Sequence, residues 1–230
     1  LKRVRLRLSQ MLDSLIDYNA TDLLALLKKR DISGVELLER CIQQYYDVNP
    51  SLNAVVETNF EEARKLFKKF DDEFGTDDYP EPFLPLPVGV KDLNDVKGLK
   101  TTFGSPLFKN NVAKSDDDVV AQIKKASAVI FGKTNVPEHG FGATTTNPLQ
   151  GSTGNPFDKS LSAGASTGGG AAAVASGIVP LATGSDFAGS LRTPASFCGI
   201  AGMRPSNGVV GTDRRSNIWS PFDVEGPMAK

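Results

Sequence analysis

Three segments of this chain carry side chains that could together perform nucleophilic chemistry. Lys91 follows the apolar run LPVGV, two hydroxyl side chains stand among the glycines of GASTGGG, and Ser190 lies in GSDFAGSLR. Each segment is predicted to lie at or near the end of a strand. Open α/β sheets place their ligands beyond such strand ends. The sequence therefore predicts that these segments meet at one edge of a sheet.

Lys91 is a candidate general base. A lysine is usually a solvated surface charge, but this one comes directly after a run that we expect to be buried. Burial lowers the pKa of a lysine because it penalises the charged form, and a neutral amine can accept a proton. A serine and a lysine can form a catalytic pair without any histidine.

Ser190 is a candidate nucleophile for acyl transfer. Small residues precede it, so backbone N–H groups could face a reacting oxygen, as in an oxyanion hole. A serine hydroxyl attacks efficiently only when a base takes its proton. His139 is the only histidine, and NVPEHGFG offers it no clear acidic partner. We interpret His139 as a pocket-lining or structural residue, with the role of general base as the alternative.

The glycine-rich stretch LSAGASTGGGAAAVASG has two functional interpretations. A phosphate-binding loop is disfavoured, because the Gly-Lys-Ser/Thr ending is absent and no Gly-x-Gly-x-x-Gly follows a strand in the expected setting. A close approach of the backbone fits better. Gly168 to Gly170 permit positive φ and leave space, and Ala171 to Ala175 would form a thin helix. Such a helix could pack closely against a sheet.

The elements that must position these side chains alternate between helix and strand. The N-terminal third predicts amphipathic helices, with Thr21 as one N-cap and with Ser33 and Glu36 in capping-box spacing. VGV, AVIFGKTN and GIVPLATGSD are typical of short buried strands. The pattern predicts an α/β fold with a mixed, largely parallel central sheet flanked by helices. We divide the chain into a helical layer, residues 1–80, and an α/β core, residues 81–230.

The composition is that of an ordinary globular protein. The 230 residues are 40% hydrophobic and 23% charged, with a net charge of −1. This charge argues against nucleic acid or an anionic membrane as the main partner, and no run reaches the roughly 18 apolar residues of a membrane span. Cys41 and Cys198 are too few for a disulfide framework, so we expect a reducing, cytoplasmic location. We interpret Cys198 as a buried small residue.

From Leu84 to Lys230 the sequence resembles the amidase signature family of serine hydrolases. The resemblance is carried by LPVGVKDLNDVKGLKTTFGS, by GKTNVPEHGFGATTTNP, and by the long run from GSTGNPFDKS to GMRPSNGVVG. The helical segment before them is similar to the family's N-terminal region. Family members are longer, and VEGPMAK resembles a segment from their middle. The resemblance therefore implies the N-terminal half of the amidase signature fold.

The resemblance also implies a Ser-cis-Ser-Lys triad. In it Lys91 is the base, Ser166 forms the cis peptide and bridges, and Ser190 is the nucleophile. The implied oxyanion hole is the backbone of Phe187, Ala188, Gly189 and Ser190. The residues implied to support the site are Thr167, Asp186 and Arg192.

This sequence departs from the family pattern at several positions around the triad. Ala165 replaces a glycine, Thr167 a second serine, Gly170 a frequent serine and Ala188 the first glycine of the nucleophile segment. The three triad side chains are all retained. We expect these departures to affect the choice of substrate more than catalysis.

The function implied by the resemblance is hydrolysis of a carboxylic amide to an acid and an amine or ammonia, through an acyl-enzyme on Ser190. No cofactor and no metal are expected, and the expected partner is a small-molecule amide, with a homo-oligomer left open. PEHGFGATTTNP resembles general amidases more than glutamine-hydrolysing subunits. Two alternatives remain: a glutamine-hydrolysing amidotransferase subunit, and a non-catalytic or inactive fragment of the same fold.

Overall fold

A six-stranded mixed sheet forms the centre of the molecule in a computed structural model, which describes residues 14–73, 85–212 and 220–230. Its strands are β1 (Val55–Thr58), β2 (Pro87–Lys91), β3 (Val129–Thr134), β6 (Leu181–Asp186), β7 (Ala201–Gly202) and β8 (Val224–Ala229), and a separate hairpin consists of β4 (Thr146–Asn147) and β5 (Gly151–Ser152). The spatial order is β1-β3-β2-β6-β8-β7. The three central strands β3, β2 and β6 are parallel, and each outer strand pairs antiparallel with its neighbour. The predicted mixed α/β sheet is confirmed.

Six α-helices flank this sheet in the described ranges. They are α1 (Ala20–Lys28), α2 (Gly34–Leu52), α3 (Phe60–Glu73), α4 (Asp118–Lys125), α5 (Gly168–Ala175) and α6 (Arg192–Cys198). The predicted capping box of Ser33 and Glu36 is confirmed at the start of α2. The prediction that Thr21 caps α1 is wrong. Asn19 is the N-cap, because its side chain accepts from the Asp22 N–H, and Thr21 lies inside the first turn.

The hydrophobic core has two parts, on opposite faces of the sheet. Alternate residues of a strand point to opposite faces, and β3 follows this rule. Phe131 belongs to the larger cluster, which includes buried residues of α1, α2, α3 and α5. Ile130 belongs to a smaller cluster with Val90 and Val120. The helices of the N-terminal segment therefore share one core with α5, the helix of the glycine-rich stretch.

The N-terminal helical segment also contributes a strand to the sheet, since β1 pairs with β3. The predicted boundary at residue 80 and most of the connecting segment GTDDYPEPFLPLP lie outside the described residues. The division into residues 1–80 and 81–230 stays a prediction. None of the helices that the structure describes combines the length and the apolar character that crossing a membrane requires.

The three parallel strands end on the same side of the molecule. β2 ends at Lys91, β3 at Thr134 and β6 at Asp186. Because parallel strands direct their carboxyl ends to one edge, the segments after them lie side by side. This edge carries the residues that the sequence analysis selected for chemistry.

Candidate active site

Lys91 and Ser166 form the centre of the site. Lys91 Nζ lies 2.8 Å from Ser166 Oγ and donates to Ser185 Oγ at 2.9 Å. The side chain of Lys91 is completely buried, and Ser166 is 3% exposed. The predicted pairing of the lysine with the first hydroxyl of GASTGGG is thus present in the structure. An amine and a hydroxyl at this distance, away from water, can exchange a proton.

The glycine-rich stretch brings Ser166 to this position. The Ala165–Ser166 peptide bond is cis, as the resemblance implied. After Thr167 the chain enters α5, whose first turn is the three glycines 168–170. A Cβ at Gly169 would collide with the backbone of Asn135, so only glycine permits this approach to the end of β3. The prediction of a thin, closely packed helix is confirmed, although these glycines supply space and do not adopt positive φ.

Ser190 lies on the loop between β6 and α6, next to the glycine-rich stretch. The Thr167 N–H donates to the Ser190 carbonyl oxygen at 3.2 Å. Thr167 Oγ1 also donates to the Ser185 carbonyl oxygen at 3.4 Å. These two contacts join the loop of Ser166 to the loop of Ser190. The two serines are 24 positions apart in the sequence, but they belong to adjacent segments in space.

Asp186 anchors the loop that carries Ser190. Its carboxylate accepts from the Gly189 N–H at 2.8 Å and from the Leu191 N–H at 3.2 Å. Arg192 adds two charge-assisted hydrogen bonds, at 2.9 and 3.0 Å. Gly189 adopts φ +109°, a backbone conformation that other residues rarely accept. These contacts agree with the predicted supporting roles of Asp186 and Arg192.

Three amides of this loop can serve an oxyanion. In the described part of the chain, the N–H groups of Phe187, Ala188 and Ser190 donate to no protein acceptor. The Gly189 N–H, in contrast, is used by Asp186. Of the four predicted contributors, Gly189 thus shapes the turn with its positive φ while its own amide faces Asp186. An oxyanion hole needs two or three such donors, and the remaining amides meet that number.

Burial determines the ionisation of Lys91. Removal from water lowers the pKa of Lys91 below the usual lysine range, and the negative charges of Glu225, Asp223 and Asp186 oppose this shift. The desolvation effect is larger, since a buried ammonium has lost its hydration. The lysine can consequently lose its proton at a pH where an exposed lysine remains charged. This property is what the sequence analysis required of a general base.

Sequence reasoning missed two residues beside the base, Ser185 and Glu225. Ser185 holds the amine of Lys91, and Glu225 is the cross-strand neighbour of Ser185 on β8. Ser185 could have been found from its position next to Asp186 at the end of a predicted strand. Glu225 could not, because Gly226 and Pro227 hide the strand character of VEGPMA.

His139 lies at the rim of the site and not at its centre. Its ring packs against the rings of Phe103 and Phe108, with centroid distances of 6.4 and 5.9 Å. The following residue, Gly140, lies close to Ser166, since a Cβ there would be 3.9 Å from Ser166 Oγ. The structure thus agrees with a pocket-lining or structural position for His139. No cluster of three or more His, Cys, Asp or Glu side chains that could hold a metal occurs within residues 14–73, 85–212 and 220–230.

We expect Cys198→Ala to leave turnover nearly unchanged. Burial raises the pKa of the Cys198 thiol to about 12, so no reactive thiolate forms near neutral pH. The thiol packs in the core and lies 3.5 Å from the Ala163 carbonyl oxygen. Amide hydrolysis assays of the folded variant check this expectation. A loss of turnover of tenfold or more, about 1.4 kcal/mol in the barrier, would instead indicate a cysteine mechanism.

We expect Asp186→Asn to destabilise the protein at neutral pH and to lose this effect in acid. Burial alone would raise the pKa of Asp186, but the hydrogen bonds from Arg192, Gly189 and Leu191 outweigh it and lower the pKa to about 2. A carboxylate with a lowered pKa stabilises the fold above its unfolded pKa, and this contribution disappears as the pH falls through the folded pKa. The expected difference is about 1–3 kcal/mol at pH 7.

Urea unfolding at pH 7 and pH 3 measures this difference. The stability gap between Asp186→Asn and the unmodified protein should shrink between pH 4 and pH 2, the interval that the two pKa values define. Asp158→Asn is the matched control, because Asp158 is exposed and bonds only within its own turn. A gap that stays constant from pH 7 to pH 2 would contradict the assigned role of the carboxylate charge.

Comparisons with known proteins were made with this geometry in hand. The sequence model of a protein family described as Amidase matches residues 36–230. One relative, from the glutamyl-tRNA(Gln) amidotransferase of Geobacillus thermodenitrificans, is 36% identical over 217 residues, with 94% of this chain and 45% of the relative covered. Acylamidase of Rhodococcus erythropolis is 39% identical over 212 residues, with 92% and 44% covered.

A solved structure gives the same picture in three dimensions. The structure of 6-aminohexanoate cyclic dimer hydrolase complexed with substrate superposes with a TM-score of 0.85 at 34% sequence identity. The match covers 93% of this chain and 44% of that chain. The chain therefore spans a little less than half the length of the relatives that it matches.

Proposed function

Because the chain belongs to the amidase signature family, we propose that it supplies the catalytic residues for hydrolysis of a carboxylic amide by an acyl-enzyme route. The observation that carries this proposal is the buried contact of 2.8 Å between Lys91 Nζ and Ser166 Oγ beside the loop of Ser190. A buried lysine paired with a serine hydroxyl has little value for stability, because taking the ammonium out of water is costly. It has a clear value for proton transfer.

The first step moves one proton and forms one bond. Ser190 Oγ attacks the carbonyl carbon of the amide while its proton passes to Ser166 Oγ. The proton of the Ser166 hydroxyl passes in turn to the neutral amine of Lys91. The electron pair of the carbonyl bond moves to the oxygen, so a tetrahedral oxyanion forms and Lys91 becomes an ammonium. The low pKa of buried Lys91 supports this direction of transfer.

The backbone beside Ser190 stabilises the oxyanion. The N–H groups of Phe187, Ala188 and Ser190 are the available donors, and a preorganised amide donor is worth about 2.7–4 kcal/mol of transition-state stabilisation. The hydrogen bonds of Asp186 to Gly189 and Leu191 hold these donors in a fixed turn. The methyl group of Ala188 lies next to this region of the loop, and we infer that it narrows the space for the substrate's acyl group.

The later steps return the proton. The ammonium of Lys91 gives its proton back through Ser166 to the leaving nitrogen, the carbon–nitrogen bond breaks, and the amine or ammonia departs. Water then attacks the acyl-enzyme with the same relay acting as base, and the acid is released from Ser190. These steps require no metal and no cofactor.

We propose a small-molecule amide as the substrate, and the acylamidase relative supports this choice by its name and its 39% identity. A glutamine-hydrolysing amidotransferase component is the second candidate. The relative from Geobacillus thermodenitrificans carries an amidotransferase name and is 36% identical. The two candidates share the triad and differ in substrate and in the need for partner chains.

The experiment that tests the proposal is labelling of the intact protein with a fluorophosphonate probe, followed by mass-spectrometric location of the label. The label is expected on Ser190. Hydrolysis is then compared for aryl and aliphatic amides and for glutamine. Release of acid from simple amides by the protein alone supports the amidase. Hydrolysis of glutamine that rises on addition of the other amidotransferase chains supports the second candidate. A folded protein that takes up no label contradicts both.

A further inference from the structure

A second buried ionisable group, Glu225, lies beside the base and takes no part in the steps above. Glu225 is on β8, directly opposite Ser185 of the antiparallel partner strand β6. Opposite residues of an antiparallel pair project from the same face of the sheet. Since Ser185 Oγ accepts from Lys91 Nζ at 2.9 Å, Glu225 belongs to the surroundings of the amine.

The carboxyl group of Glu225 is poorly satisfied by its neighbours. The residue is only 9% exposed, and its Oε1 accepts from Asn94 Nδ2 at 3.3 Å. Its Oε2 is buried and has no hydrogen-bond partner in the part of the chain that the structure describes. A buried carboxylate without full hydrogen bonding is costly unless a positive charge stabilises it. The nearest source of such a charge in this cluster is the ammonium form of Lys91.

We propose that Glu225 is a positioning residue that acts through Lys91: its buried carboxylate stabilises the ammonium and so sets the pH at which the base becomes free to accept a proton. This inference rests on the proposed role of Lys91 as the base. The carboxylate favours the resting ammonium before catalysis and the ammonium that forms when Ser190 attacks. It therefore trades a larger fraction of neutral base at low pH against a better proton acceptor.

The electrostatics agree with this geometry. Burial raises the pKa of Glu225 well above the usual glutamate range, and the positive charge of Lys91 acts against that shift. The negative charge of Glu225 is in turn the largest effect that raises the pKa of Lys91 against burial. The other charged groups that face this pair come from three further places. Asp223 precedes β8, Asp186 ends β6, and Asp117 precedes α4.

Glu225→Gln tests the proposal, since it removes the charge and keeps the size and the hydrogen-bonding capacity toward Asn94. The rate of Ser190 acylation by the fluorophosphonate probe is measured from pH 5 to pH 10. The rate of the unmodified protein should rise with pH as Lys91 loses its proton. In Glu225→Gln this rise is expected at a pH lower by on the order of one unit. Below the midpoint of the unmodified protein, the variant should then react up to about tenfold faster.

Two matched variants separate charge from structure. Glu225→Asp keeps the charge and should keep the rise near its original pH. Asp223→Asn removes a half-buried charge that acts on the same amine, so a smaller shift in the same direction is expected. Acylation by Glu225→Gln that is slower at every pH, with its midpoint unchanged, would overturn the proposal and indicate a purely structural role.

Direct titration of Lys91 makes the test independent of activity. The lysine side chains are labelled with ¹³C at Cε, and the Lys91 signal is identified by its loss in Lys91→Met. The Lys91 pKa should fall in Glu225→Gln and stay near its original value in Glu225→Asp. If the unmodified protein is not acylated at all, the proposed hydrolase function fails, and this titration still decides the role of Glu225. An unchanged Lys91 pKa in Glu225→Gln overturns the inference.

Discussion

Ser190→Ala should abolish covalent labelling by a fluorophosphonate and reduce amide hydrolysis by about 10⁴-fold or more, the range seen when a serine nucleophile is removed. The reason is that no acyl-enzyme can form without Ser190 Oγ, while the amides of Phe187 and Ala188 still bind the carbonyl oxygen. The loop keeps its anchor, because Asp186 contacts the backbone of Gly189 and Leu191 and not the Ser190 side chain. Fluorescence of the labelled band and steady-state rates give the two measurements.

The matched control for this prediction is Ser196→Ala. Ser196 lies six positions later, on an exposed face of α6, and has no assigned role. It should label and turn over like the unmodified protein. Circular dichroism must show that Ser190→Ala is folded. Retained labelling of folded Ser190→Ala would place the nucleophile elsewhere, and the mass-spectrometric site would then identify it.

Lys91→Met should reduce the rate of Ser190 acylation by about 10²–10⁴-fold, the usual value of general acid–base catalysis. Ser166 loses the group that accepts its proton, so the Ser190 hydroxyl remains protonated when it meets the substrate. Folding should survive this change, since methionine fills a similar volume and a buried amine without a close carboxylate partner contributes little stability. The rate should also lose its dependence on the ionisation of the lysine between pH 6 and pH 10.

Lys133→Met is an informative control for Lys91→Met. Lys133 is equally buried, but its Nζ pairs with the buried carboxylate of Asp92 at 2.8 Å and with Thr101. Removing this lysine leaves Asp92 as an unpaired buried charge, which costs about 3–5 kcal/mol of stability. We expect Lys133→Met to lower the free energy of unfolding and Lys91→Met to lower the rate. Near-normal acylation by Lys91→Met at neutral pH would contradict the role of Lys91.

The contrast between these two lysines shows how far sequence reasoning reached. Both follow apolar runs that predict buried strands, and nothing in GVKD or FGKT distinguishes a base from a structural cation. The resemblance to amidases selected Lys91. The structure supplies the physical reason, since Lys133 has a carboxylate partner within hydrogen-bonding distance and Lys91 has hydroxyl groups.

The central strands β2, β3 and β6 were predictable because each is a short apolar run with turn residues after it. The outer strands were not. β8 contains Gly226 and Pro227, residues that are rare in strands, and its pairing with β6 forms between segments about 40 positions apart. No local pattern reports such a pairing, and with it the position of Glu225 was also missed.

What the sequence by itself determined were the residue types of the site and the local geometry that each requires. Glycines at 168–170 permit a close helix, Gly189 permits a sharp turn, and Lys91 ends a buried strand. Only the tertiary structure decided which groups share one low-dielectric space. It gave the Gly189 amide to Asp186, and it brought Ser185 and Glu225 to the amine of Lys91. The physical reason is that a pKa depends on burial and on neighbouring charges, and both are properties of the packed chain and not of any segment within it.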